Sequence, residues 1–171
     1  RFVFCLEPGD GYLGGEFFYF DDARRYLLGE EEAEILIDSS LIPIGLRRAL
    51  TYFILTCIDH CYILNEDTCN FLIHPSVRIK HHALVAGKVA CLLKSFKRDL
   101  GNNSSFLGYW LQDCYSQFGD FCEPIEFYLN RVGSVIDKIS VSTVNSESPI
   151  DDDYTGFNVL VGGSSLGRGV T

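Results

Sequence analysis

The sequence predicts a mainly α-helical protein, a compact bundle of five to six helices around a buried central helix with short β-strands at the N- and C-termini. Three observations carry that expectation. The stretch from Ala49 to Ile58 is apolar almost all round, as a helix enclosed by others must be. Residues 76–100 alternate apolar and basic positions at helical spacing. Ile125, Leu129, Val132, Ile136 and Ile139 recur every three or four residues, the pattern of an amphipathic helix from Ile125 to Ile139.

At the N-terminus, two aromatic, β-prone runs flank Pro8–Gly11 and suggest a hairpin. Its glycine pairs read as turns, because neither their spacing nor a following helix suits a phosphate-binding loop. Asp21–Gly29 resembles a short capped helix. The acidic run Glu30–Glu34 then leads into Ile35–Ile37, where strand and helix stay equally open. Its glutamates fit a solvated run better than a cation site. Pro43 suits the first turn of the central helix, expected from about Ile44 to Leu64 and broken by Asn65–Asp67. A short apolar piece, Cys69–Ile73, leads through His74 and Pro75 into the basic helix.

In that helix Val85, Ala86, Val89, Ala90, Leu92, Leu93 and Phe96 share one face, and His82 falls among them. Burying such side chains is worth about 1.5–3 kcal/mol each before entropy is subtracted. Ser76 is the expected N-cap and Gly101 a left-handed stop. A core histidine bonded to the backbone is the preferred reading of His82, ahead of a ligand or acid/base role with His81. A helix over Phe106–Phe118 follows, with Trp110, Leu111, Cys114 and Phe118 on one face. Beyond Ile139, ISVSTV and GFNVLVG read as strands around a polar, acidic connection, whose Asp151–Asp153 reads as solvated linker. The whole is expected as one domain over 1–160, with a flexible Gly/Ser-rich tail at 161–171.

Charge is both net negative and segregated. A net charge of −9 argues against nonspecific nucleic-acid binding. Residues 1–40 hold ten acids and three bases, whereas residues 76–98 hold six bases and no acid. The two segments are expected to face each other inside the fold, the sharper reading being an acidic partner for the basic helix. Lys80, Lys88, Lys94 and Arg98 therefore form the best-defined candidate contact surface. An apolar fraction of 47% beside 22% charge also favours a partner surface or oligomer interface.

The seven cysteines are odd in number and lie largely in apolar helical stretches, which fits free thiols in a reducing, intracellular compartment. The overlapping sequons at Asn102 and Asn103 would matter in a secreted chain. No run reaches the length of a membrane span. The chain begins at Arg1 and has no methionine, which reads as a processed product or a fragment.

Candidate chemistry is sparse. Cys57, Cys61, Cys69 and His74 are the densest set of soft donors, and together they could complete a tetrahedral zinc site. Cys57 or Cys61 paired with His81 or His82 would be a thiol nucleophile and its base, if the two central helices pack that way. Asp59 and His60 are adjacent on a helix and so diverge by about 100°.

Two families share scattered features with the chain. Val77, His82 and Val89, with Pro124 and Phe127, are similar to the E and G helices of a globin, but no later histidine stands where the proximal ligand belongs, so no haem is expected. Asp59, His82, Lys94 and Asn102–Asn103 resemble the order of short single-box cyclins over about residues 44–140. That resemblance departs at His60, where the family has arginine, and at Leu93, where it has alanine. It implies a module that binds a kinase without catalysing anything.

The expected function is a non-catalytic helical interaction or structural subunit of a larger assembly, with a protein partner or a second copy as its ligand. The alternatives are a small metal-binding or thiol enzyme built on Cys57–His74 and a cyclin-like kinase-binding module.

Overall fold

The computed structural model describes residues 30–38, 40–76, 78–102, 105–118, 121–145 and 155–163. The expected N-terminal hairpin, the Asp21–Gly29 helix, Asp151–Asp153 and residues 164–171 of the expected tail lie outside them.

The chain is mostly helical, with six α-helices and a three-stranded parallel sheet among the described residues. The helices are α1 (Glu30–Asp38), α2 (Ile44–Asp59), α3 (Ile79–Gly101), α4 (Ser105–Phe118), α5 (Ile125–Leu129) and α6 (Val132–Ile136). The strands are β1 (Cys69–Ile73), β2 (Ile139–Val144) and β3 (Phe157–Gly162), in spatial order β1-β3-β2.

The sheet is organised around its last strand. β3 is buried along its whole length, as a central parallel strand covered on both faces should be. It pairs in register with both neighbours, so that Asn70, Asn158 and Ser140 form one row. In that row Ser140 donates to Asn158 Oδ1 at 2.6 Å, and Asn158 Nδ2 donates to Asn70 Oδ1 at 3.0 Å. Gly156, at φ +85°, supplies the left-handed step that starts β3. The two C-terminal strands follow the alternation in the sequence, and β3 runs two residues into the segment expected to be tail. The third described strand, however, is the internal Cys69–Ile73.

α2 buries nine side chains, including Leu50, Ile54, Leu55 and Ile58. It packs on α4 and α6, and Phe53 stacks on Phe71 of β1 at 5.4 Å. Beyond Asp59 it loosens into a π-helical turn, His60–Leu64, and stops at Asn65 in the left-handed conformation that asparagine tolerates. Asp59 is held there by the Tyr128 hydroxyl, which donates to Oδ1 at 2.6 Å.

α3 lies across β2 and β3 and also touches α1, α4 and α6. Its buried residues, His82, Val85, Lys88, Val89, Leu92, Leu93 and Phe96, follow the expected apolar face with one addition, Lys88. Ser76 is not its N-cap: the helix starts after Arg78, whose amide donates to Ser76 Oγ at 3.1 Å. Nor does it end in a left-handed glycine, since Gly101 is still helical and Asn102 closes it at φ −99°.

The Glu30–Ile37 ambiguity resolves as helix α1. Glu32 of that helix accepts the amide of Gly45 at 2.9 Å, which serves α2 as a cap borrowed from another element. The single helix expected over Ile125–Ile139 is two short ones. The ladder tightens where Arg131 N donates to Tyr128 O at 3.0 Å, and Asn130, Gly133 and Ser134 are weak helix formers. Arg131 also folds back over the Phe127 ring, 3.7 Å from its centroid.

Burial, partly offset by the bond from Tyr128 and by His60, raises the Asp59 carboxyl above its ordinary value, with Glu123 adding to the rise. A raised carboxyl stabilises the fold below the ordinary carboxylate pKa, and that contribution is lost as pH climbs through the raised value. Asp59→Asn keeps an acceptor for Tyr128 and removes the charge. Its stability relative to the unsubstituted chain is therefore expected to rise between about pH 4 and pH 7, as urea midpoints across that range will show.

Candidate functional site

The donors considered for an alternative zinc site are separated by β1. Cys57 and Cys69 share a hydrogen bond at the amino end of the strand, with Cys61 one turn further along the chain. His74 lies past the other end, about 16 Å away at roughly 3.3 Å per residue, too far to share an ion. Among the described residues no group of three or more His, Cys, Asp or Glu side chains is placed to hold a metal. Burial raises the Cys57 thiol, and burial with Asp113 pushes Cys114 up to about 12. Both therefore stay protonated and behave as small apolar side chains.

The thiol–histidine pairing fails for the same reason. His82 lies against Gly163, just past the carboxyl end of β3, whereas Cys69 pairs with Phe157 at its start. Six residues of strand place Cys57 and His82 roughly 20 Å apart. Asp59, His82 and Lys94, which carry the cyclin resemblance, likewise do not converge: Asp59 binds Tyr128, His82 is buried and Lys94 is exposed.

The basic helix divides into two kinds of residue. Lys88 is buried and points into the fold, where Nζ donates to the carbonyls of Ile35 at 3.0 Å, Leu36 at 2.6 Å and Leu41 at 3.1 Å. It closes the C-terminal end of α1, the negative end of that dipole. Burial lowers its pKa, opposed by Asp38. Of the acidic segment expected to face this helix, residues 1–29 lie outside the described residues; α1 meets Lys88 through backbone carbonyls. Lys88 is corrected from a candidate partner contact to an internal one.

Lys80, Lys94 and Arg98 remain exposed and form no ion pair with any described residue. With Leu84, Gly87 and Cys91, all exposed, they make a stripe spaced four, three, four, three, four along the helix. At about 100° per residue the six fall within roughly 80° of arc. The stripe is about 27 Å long at ~1.5 Å rise, cationic at both ends and small or apolar between. A Cβ added at Gly87 would meet nothing within 4 Å, so a partner backbone can approach closely there.

Two other surfaces are less specific. A shallow hollow of about 250 Å³ is lined by leucines of α3, α4 and α5 and by Val132, with Asp99 as the one charged group in that lining. On α4, Phe106 and Trp110 pack beneath the Arg47 guanidinium at 5.2 and 5.4 Å.

These elements define a small, mostly helical domain built on a buried parallel strand, with one long helix exposing a basic stripe. The Z1 domain family model matches residues 45–171, and the chain belongs to that family. No curated protein and no solved structure matches it. No helix of the described residues is long and apolar enough to cross a membrane.

Proposed function

We propose that the chain is a non-catalytic interaction subunit whose exposed α3 stripe docks an acidic helical segment of a partner protein. The observation that supports this most is the set of exposed cations Lys80, Lys94 and Arg98, which form no ion pair among the described residues, on a chain of net charge −9. Among the described residues no carboxylate pairs with these three cations on one helix face, which leaves them available for a partner's acids. The four–three spacing matches the seam by which one helix packs along another. Leu84, Gly87 and Cys91 supply the apolar strip that closes such a seam, with the charges guiding approach and register.

A fluorescent synthetic helix of about 20 residues, with glutamates at its ends and leucine and alanine along one face, is a direct probe. It is expected to bind the chain with an affinity that falls as salt rises. Lys94→Glu with Arg98→Glu should weaken binding at least tenfold while leaving the circular dichroism unchanged. Equal binding by the double variant, or binding indifferent to salt, contradicts the proposal.

A further inference from the structure

Three thiols gather at the amino edge of the sheet. Only four residues separate the end of the π-helical turn at Leu64 from Cys69. β1 therefore starts where α2 finishes and runs back beside it. Phe53 of α2 stacks on Phe71 of β1 at 5.4 Å, which fixes how the two elements pass each other. Cys57 lies one turn further along the helix, about 6 Å from Phe53. Cys69 lies two residues back along the strand, about 6.6 Å from Phe71 and on the same face of the sheet. Two equal steps in the same direction bring the thiols together, and they share a hydrogen bond.

The two sulfurs sit in different surroundings. Cys57 has no exposed surface, whereas Cys69 is half-buried and within reach of a small solute. Burial raises the Cys57 thiol and keeps it protonated, which makes it the donor of the shared bond. That bond lowers the Cys69 thiol, against burial and Glu66. A sulfur that accepts such a bond holds more of the nucleophilic thiolate. Cys61, also half-buried, has a different partner: the Lys138 ammonium, one residue before β2, donates to its sulfur at 3.7 Å. Cys57 and Cys69 thus face each other as a disulfide requires, and closing the bond brings the sulfurs to about 2 Å.

We infer that Cys69 is an oxidation site for hydroperoxides and that Cys57 resolves it, closing a disulfide that pins β1 to the end of α2. The Cys69 thiolate attacks the outer oxygen of the hydroperoxide and the O–O bond breaks. The alkoxide or hydroxide released takes up a proton, leaving a sulfenic acid on Cys69. The Cys57 sulfur then attacks the Cys69 sulfur: the S–S bond forms, the S–O bond breaks, and the departing hydroxide leaves as water with the Cys57 proton. Two electrons have passed from the sulfur pair to the peroxide, and a thiol reductant returns them by exchange. β1 is an edge strand of the described sheet, paired with β3, and the cross-link closes the segment 57–69 that precedes and begins it. Closing that loop restricts the ways in which β1 can detach. None of the residues of the proposed docking stripe takes part, so the two readings stand or fall separately.

The test treats the reduced full chain with hydrogen peroxide, blocks the remaining thiols with a maleimide in urea, and maps the peptides by mass spectrometry. Cleavage at acidic residues separates the three thiols, because Asp59 lies between Cys57 and Cys61, and Glu66 and Asp67 lie between Cys61 and Cys69. The expected product is a linked pair of peptides holding Cys57 and Cys69, released by dithiothreitol. In the oxidised chain, amide exchange in β1 should slow at least tenfold and recover on reduction. Cys57→Ser removes the resolving thiol, so sulfenic acid should accumulate on Cys69, where dimedone traps it. Cys61→Ser should leave the link intact. Recovery of Cys57 and Cys69 as maleimide adducts overturns the inference, as does Cys69 stopping at an unlinked acid in the unsubstituted chain. So does a disulfide in which Cys61, Cys91 or Cys122 replaces either sulfur. A folded Cys57→Ser chain without sulfenic acid on Cys69 overturns it too. If that variant does not fold, the peptide map of the unsubstituted chain decides alone.

Discussion

Lys88→Met is expected to destabilise the fold by about 2–4 kcal/mol. Three carbonyls from α1 and the turn after it converge on this ammonium. Methionine matches its length but removes all three of those donations, the buried one to Leu36 included. The bond to Leu36 is buried, so water cannot simply replace it, whereas the bonds to Ile35 and Leu41 are partly accessible. Removing a charge whose burial is itself unfavourable returns some of the loss, which keeps the figure below the sum of three unmet bonds. Urea denaturation should register the change, and amide exchange should accelerate first in residues 30–38. An unchanged midpoint would mean that the α1 end is satisfied by other means.

Phe96→Ala is expected to cost about 3–5 kcal/mol. Phe96 has no exposed surface and is among the largest fully buried side chains, within the cluster that joins α2 and α3 to the sheet. Dense packing on every side leaves little room for collapse into the space an alanine would create. A fall in melting temperature of roughly 10 °C follows from the usual scaling for a chain of this size. A loss below about 1 kcal/mol would place the ring nearer the surface than the structure has it.

What could be read from the sequence is what periodicity encodes. The apolar helix α2, the apolar face of α3 with His82 inside it, and the last two strands all follow patterns long enough to select one period. Lys88 illustrates the boundary of that method. It sits about 100° from the centre of the apolar face, on the flank, where a lysine can either reach water or turn inward. Only the position of α1 decides which, and that is a long-range fact. The break between α5 and α6 was hidden because apolar residues keep their spacing across it, while the tightened turn at Arg131 depends on its stacking over Phe127. β1 was too short to select a period by itself, and its pairing partner lies 88 residues away at Asn158.

The candidate sites divide along the same line. Donor types alone pointed to Cys57, Cys61, Cys69 and His74, yet the direction of one strand separates them. Lys80, Lys94 and Arg98 were accessible to sequence reasoning because an exposed helix face is local. The contact between His82 and Gly163 was not, since nothing local announces that the end of β3 closes against that ring. The Asn70–Asn158–Ser140 row needed the same strand register before it could be seen.

The most direct test of the docking account is a residue-resolved map of the bound surface. Amide chemical shifts of the isotopically labelled chain, followed while the acidic helical peptide is added, should move at Lys80, Leu84, Gly87, Cys91, Lys94 and Arg98, while the amides of β3 stay in place. Shifts centred on the Phe106–Trp110 face or on the outer edge of β1, with the α3 stripe silent, would contradict it.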